Sequence, residues 1–261
     1  MPETFSLYTP HSSGLHRLHP LTKLSLAGFL LAAGLALPSF GVAYLLLVLI
    51  VIPLAGWGRV LKELVSAAWR VALPFAISVF LVQGFFWPGG APVLSLGPLS
   101  LKREGVLFAI DSTGRILMVV SAFLLFALTT RPDALMTALT QRGLPGGIAY
   151  IVVATIQIVP RFQAKAAAIL DAQRARGLET EGNLFRRLRA ILPLIAPLVL
   201  GSLVDVEERA LAIEARAFNR PGPKTSLLEL PQAKWEGGLR WTFLVGIVAV
   251  LIIRGLHVMG T

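Results

Sequence analysis

Cysteine is absent from the 261 residues, which removes disulfides, iron–sulfur clusters and thiolate zinc sites from consideration. Charge is scarce: 15% of residues are charged against 55% hydrophobic, and the mean hydropathy is +0.74. That balance excludes an ordinary soluble domain and predicts an integral membrane protein. Also missing are a Walker-type phosphate loop, a zinc-ligating histidine pair, a nucleophile elbow and clustered intramembrane carboxylates. An enzyme acting on lipid therefore has no visible chemistry. The first twenty residues are polar, with three histidines and prolines before any apolar run, so no cleaved signal peptide is expected.

What is present is a series of apolar runs at about Leu21–Leu37, Gly41–Trp57, Val71–Trp87, Gly105–Leu128 and Trp241–Val258. These five are the expected transmembrane helices, several of them shorter than the ~20 residues that a straight span needs. The fold class expected is all-α and polytopic. Arg17 and Lys23 precede the first run, and Arg59, Lys62 and Arg70 lie between the second and third, while "PSF" between the first two has no basic residue. The positive-inside rule places the N-terminus in the cytoplasm, against a smaller opposing bias from Lys102 and Arg103. Trp57, Trp87, Trp235 and Trp241 fall near the expected boundaries, where indoles commonly sit.

The net charge of +10 is concentrated. Between Arg131 and Arg240 lie 15 of the 24 Lys and Arg residues and 10 of the 14 Asp and Glu residues. This divides the chain into a membrane domain over 1–130, a cytoplasmic block over 131–238 and a last transmembrane helix over 239–261. Interspersed acids and the lack of an aromatic platform argue against nucleic acid. Two runs in the block, "LPGGIAYIVVATIQIVP" and "AILPLIAPLVLGSLV", are apolar enough to span, which would give seven spans. Their prolines (Pro160, Pro193, Pro197) and charged continuations favour helices at the membrane face. In "TTRPDALMTAL", Thr130 and Asp133 have capping-box-like spacing around Pro132 and mark a helix start. Leu203, Val206, Ala210, Ile213 and Ala217 form one apolar stripe. Phe162, Ala166 and Ile169 form a shorter one, expected opposite Arg161 and Lys165.

Each of these amphipathic helices ends in a related hexapeptide, "AQRARG" at Ala172–Gly177 and "AIEARA" at Ala212–Ala217, with arginines forty positions apart. Positions three and four away from Arg216 hold no carboxylate, and near Arg176 only Glu179 qualifies, beyond a glycine that ends the helix. Arg209 and Arg174, by contrast, have Asp205 and Asp171 within reach. An arginine offsetting the helix dipole is the bland reading of one such ending. Two matched copies flanked by small residues read as docking tips for carboxylates on another protein.

Asp111 and Arg115 stand four apart in the fourth run, where an ionised group costs about 2.5–3.5 kcal/mol, and are expected to pair on one helix face as a static contact. His11, His16 and His19, with only Glu3 for company, do not share a fixed face and are read as a solvated tail rather than a metal site.

The motifs "LHRLHPLTKL", "SLGPLSLKREG", "LTTRPDALMTAL", "VPRF", "AQRARG" and "ALAIEARAF" cover nearly the whole chain, and together they resemble the transmembrane T component of energy-coupling factor (ECF) transporters. That family comprises vitamin and transition-metal importers driven by ABC-type ATPases. The resemblance implies a non-catalytic scaffold in the plasma membrane that holds a substrate-binding S component and two ATPase subunits. It implies that Ala175-Arg176-Gly177 and Ala215-Arg216-Ala217 end two coupling helices in grooves of those ATPases. It also implies that ATP and magnesium belong to the partners, with no cofactor in this chain, and that ATP-driven closure draws the coupling helices together. Ala217 replaces a frequent glycine, so the second tip is expected to run on toward "FNRPGP" before Pro221 stops it. A permease lining its own substrate path is the alternative, with one docking loop per chain instead of two.

Overall fold

The computed structural model describes residues 8–9, 13–37, 40–89, 92–96, 99–178, 184–218, 220, 222, 230 and 232–259. His11, Glu3, Glu179, Asn219 and Pro221 lie outside them. Packing divides the chain into two compact units, Leu7–Leu144 with Leu228–Thr261, and Pro145–Leu227.

In the larger unit, Ser13 accepts from the His16 backbone N–H and starts the short helix α1, Gly14–Arg17. Pro20 pre-sets the first turn of α2, Pro20–Ala36. The next apolar run is α3, Val42–Leu46, a π-helical turn, Leu47–Val51, and α4, Ile52–Gly58. A proline at position 53 would clash with the Leu49 carbonyl in a regular helix, and that carbonyl lies within the wider π turn. Helix α5, Leu61–Phe86, starts ten residues before the apolar run expected at Val71 and continues through Pro74. A small antiparallel pair, β1 (Pro92–Leu96) and β2 (Leu99–Lys102), with Leu96 opposite Leu99, was not foreseen in the all-α reading. It connects α5 to α6, Arg103–Thr129. At the return point a Cβ on Gly105 would strike the Gln83 carbonyl, so only glycine lets the two helices approach there.

Helix α6 is central: Met118, Ala122 and Leu125 pack with Leu15, Leu30, Val51 and Val60 in one buried core. The outer faces of the long helices are apolar and exposed, as with Trp69, Ile77, Phe80 and Val82 on α5. A surface of that kind is stable in hydrocarbon and not in water.

Helix α7, Pro132–Thr140, begins where "TTRPDA" predicts, but Thr130 is not its cap. Proline at the first helical position makes Arg131 the N-cap, and Asp133 instead bonds Arg131 in a bidentate pair, its nearest contact 2.6 Å. Thr130 Oγ1 is buried with no partner among the described residues.

The last helix of this unit, α10, Lys234–Met259, packs against α2. At their junction the Glu236 carboxylate, 3% exposed, accepts from the His19 backbone N–H at 3.0 Å and from the Thr22 hydroxyl at 3.1 Å. Lys23, also buried, donates to the backbone carbonyls of His16 and Thr129 at 3.1 and 2.7 Å. His19 is thus no solvated tail residue: its Nδ1 caps α2 by accepting from the Leu21 N–H at 3.3 Å. His16 likewise engages the Ser13 hydroxyl at 2.7 Å.

Burial, helped by Arg240 and Arg142 and opposed by Glu236, lowers the His19 pKa from its ordinary value of 6.5. A base with a depressed native pKa gains fewer protons when folded than when unfolded, so stability rises with pH. The stabilisation is complete above pH 6.5 and declines as pH falls from there toward the native pKa, since protonation also removes the Nδ1 acceptor. Thermal unfolding in detergent at pH 7.5 and 5.5 should show a lower midpoint in acid. A His19→Asn chain, whose amide oxygen caps without titrating, should lose much of that difference.

The smaller unit is two long helices, α8, Gly146–Ala175, and α9, Leu184–Ala215. Pro160 does not end α8 and Pro193 and Pro197 do not end α9; each apolar run and its charged continuation form one helix. For α8, which is apolar enough to cross a membrane, a freed carbonyl in hydrocarbon has no competing partner, so continuing the helix is the better solution. Among the described residues, α5, α6, α8 and α10 are long and apolar enough to cross a membrane, α8 being the least apolar of them with a mean hydropathy of 1.3. The helices Pro20–Ala36 and Val42–Gly58 are shorter. By length and composition, then, the first of the two open runs joins the spanning candidates. The protein is a multi-pass, all-α membrane protein. Helix α7 belongs to the larger compact unit.

Candidate functional site

The two arginine endings share one backbone solution. At the first, Arg176 is the C-cap of α8, Gly177 adopts φ +89°, the Gly177 N–H donates to the Arg174 carbonyl at 2.9 Å and the Leu178 N–H to the Gln173 carbonyl at 3.0 Å. This is the double bond pattern of a Schellman stop. The second copy repeats it forty residues later. Ala217 adopts φ +54°, its N–H donates to Glu214 at 2.9 Å, and the Phe218 N–H donates to Ile213 at 3.2 Å.

The expectation that alanine would let the second tip run on is therefore wrong. A left-handed alanine costs about 1–2 kcal/mol. The two carbonyl bonds oppose that cost, as does Phe218, whose ring packs against Tyr150 of α8 at 5.5 Å. The remaining part of that expectation, on Asn219 and Pro221, lies outside the described residues.

Both arginines are exposed, at the very point where the chain turns away from the helix. Among the described residues neither guanidinium makes a hydrogen bond or ion pair, whereas Arg174 lies 3.7 Å from Asp171. The flanking Ala175, Gly177, Ala215 and Ala217 are also exposed, so nothing bulky shields either fork. A rigid cap, a permanent charge and small shoulders can seat a planar cation against a carboxylate without reorganising the helix.

One pairing and one helix face differ from those expected. Asp205 does not pair with Arg209 on its own helix; its Oδ2 lies 2.7 Å from Lys165 Nζ on α8. Nor does Lys165 oppose the apolar stripe of α8. It stands three residues after Phe162 and four before Ile169, which puts it on their face, turned toward α9. Both follow from helix packing, which brings α9 closer to Lys165 than residue counting along one helix could reveal. The stripe side chains Phe162, Val206 and Ile213 line an open groove between α8 and α9.

In α6, Arg115 Nη2 lies 2.7 Å from Asp111 Oδ2, while Asp111 Oδ1 also accepts from the Gly41 backbone N–H at 3.4 Å. Tyr44 donates to the Ile110 carbonyl at 2.8 Å and fills the space left by Gly114. The pair thus sits where the start of α3 meets α6.

Sequence reasoning missed two polar assemblies, the Lys165–Asp205 contact and the junction of Glu236, His19, Thr22 and Lys23. The second had a signal: a carboxylate opening an apolar run, and a lysine and threonine at the head of another.

Comparison with known proteins agrees with this architecture. The sequence model of the family described as CbiQ, cobalt transport protein, matches residues 11–227. The chain is 27% identical over 260 residues to the energy-coupling factor transporter transmembrane protein EcfT of Lacticaseibacillus paracasei, covering 94% of this chain and 96% of that one. It is 28% identical over 257 residues to EcfT of Thermotoga maritima, covering 95% and 92%. A Bifidobacterium longum protein named as a putative ABC transporter ATP-binding protein is 30% identical over 225 residues, which is 80% of this chain and 28% of that longer one. With a family match across most of its length and full-length relatives of one kind, the chain belongs to the CbiQ family of transport proteins and is a transmembrane T component of the energy-coupling factor type.

Proposed function

We propose that this T component is a non-catalytic scaffold of the plasma membrane, in which Arg176 and Arg216 each dock one of two ABC-type ATPases and the membrane helices hold a substrate-binding S component. The cargo class is a vitamin or transition metal, captured by the S component. The N-terminus and both tips face the cytoplasm, which requires α8 to lie along the membrane face rather than cross it, its length and composition notwithstanding. ATP and magnesium belong to the ATPases, and Asp111 with Arg115 is a static pair that seats α3 on α6. The carrying observation is the duplicated stop: two helices, forty residues apart in sequence, ending in the same cap with an exposed arginine at the same place that has no partner among the described residues. A single stop would be explained by the helix dipole; a repeated one calls for two equivalent recipients. The Bifidobacterium longum relative named as an ATP-binding protein supports a recipient of the ABC class.

Affinity purification of the tagged chain in mild detergent, with every co-purifying chain identified by mass spectrometry, tests the reading. Two ATPase copies and one further small membrane protein per T component are expected. A complex holding two copies of this chain and no separate binding subunit would favour the permease alternative instead.

A further inference from the structure

The contact between Lys165 and Asp205 has the same sequence offset as the tips. Lys165 and Asp205 are 40 residues apart, and so are Arg176 and Arg216. Arg176 stands eleven residues after Lys165, and Arg216 eleven after Asp205, about 16 Å of helix in each case at 1.5 Å per residue. No proline interrupts either stretch. The two repeats therefore touch at equivalent positions.

The helices also run in opposite directions at this crossing. Phe218, just past the second tip, packs on Tyr150, fifteen residues before Lys165 on α8, while the first tip lies eleven residues after it. The tips consequently project to opposite sides of the contact. When position n of one repeat meets position n of the other and the arms point apart, the meeting point lies on an approximate twofold axis. A pair of similar ATPases has an axis of the same kind.

The contact is built tightly. Lys165 Nζ donates to the Gly201 carbonyl and to Asp205 Oδ2, both at 2.7 Å. Gly201 makes room for it: a Cβ there would lie 2.8 Å from both Cε and Nζ of Lys165. Asp205 is half-exposed and Lys165 about a third exposed, so the pair adds little to stability. Its value is positional, because one fork of bonds fixes where along α8 the helix α9 crosses.

We propose that Lys165, held by Asp205 and the Gly201 carbonyl, is the positioning pivot of the two coupling arms, placed on the approximate twofold axis so that displacement of one tip is met by an equal displacement of the other. This rests on the docking reading of the tips. The absence of native cysteine makes the test direct: Ala172→Cys and Ala212→Cys, both exposed and forty residues apart, carry the only two spin labels on the T chain of the assembled complex. The label distance is measured without nucleotide and with ATP and magnesium, and ATPase retention is read alongside.

The unmodified pivot should give a narrow distribution that shifts with nucleotide. Lys165→Ala and Asp205→Ala should keep both ATPases yet broaden the distribution at least twofold and reduce the shift. Exchange of the two residues, Lys165→Asp with Asp205→Lys, should restore it in part, since the axis keeps the ion pair while a lysine at 205 would meet Arg161 where Lys165 meets Gly201. Gly201→Ala favours helix and so does not endanger folding. It takes the space of the lysine and should broaden the distribution too. Narrow, fully shifting distributions in the single variants or in Gly201→Ala, or an exchange no better than the singles, would overturn the pivot. A failure of the docking reading is read separately, in a different variant: charge reversal at the tips would then leave the ATPases attached, whatever the label distances in the pivot variants.

Discussion

Arg176→Glu combined with Arg216→Glu is expected to strip both ATPases from the complex while the membrane unit stays folded. Each arginine is the exposed end of a capped helix with no partner of its own among the described residues, so its loss costs the fold only the helix-dipole contribution, about 0.3–1 kcal/mol per tip. On the partner side, truncating one member of a buried, hydrogen-bonded charge pair costs roughly 2–5 kcal/mol. That is about 30-fold to several thousand-fold in affinity per tip, and glutamate adds repulsion to the loss. The single variants should each weaken retention, and the double variant should abolish it, in co-purification from detergent. ATP-driven uptake should fall with it. A double variant that keeps both ATPases and imports normally would sink the docking assignment, whatever its effect on expression.

Glu236→Ala should have the largest effect on stability. The carboxylate is buried and serves two donors from the head of α2, the His19 N–H and the Thr22 hydroxyl. Hydrogen bonds to a charged group contribute about 1.5–3 kcal/mol each, and the variant would leave both donors unmet in the interior. It would also remove the carboxylate four residues before Arg240, which is 8% exposed and whose Nη1 has no hydrogen-bond partner among the described residues. Together these imply a loss of about 3–5 kcal/mol in the packing of α10 on α2. Thermal unfolding of the detergent-solubilised chain should show it as a large fall in midpoint. Glu236→Gln, which keeps one acceptor oxygen and loses the charge, should fall between. If Glu236→Ala unfolds at the temperature of the unaltered chain, the junction is not what anchors the last helix.

The amphipathic stripe of α9 as far as Ile213, though not its last member Ala217, the start of α7 at Pro132 and the helical nature of all five expected spans were legible in the order of residues alone. So were the two tips as helix ends. These features depend on interactions reaching no more than a few residues: hydropathy over one helix length, a proline at a first turn, an unmatched i, i+4 position. The same local rules misjudged the extent of α8 and α9, because they weigh a proline by what it breaks and cannot weigh the apolar surroundings that keep the rest of the helix intact. They misjudged the second stop as well. Whether Ala217 takes a left-handed conformation depends in part on Tyr150, nearly seventy residues earlier, receiving the Phe218 ring.

Composition and short-range pattern alone thus determined that this chain lives in a membrane, that it is helical, and that two of its helices end in matched arginines. Tertiary structure decided which charges meet. Asp205 had Arg209 available one turn away and took Lys165 of the neighbouring helix instead; Glu236 found its donors more than two hundred residues back along the chain. The reason is that a buried or crossing-point charge is settled by the geometry with which helices approach, and that geometry is a sum over many distant contacts that no window of sequence contains.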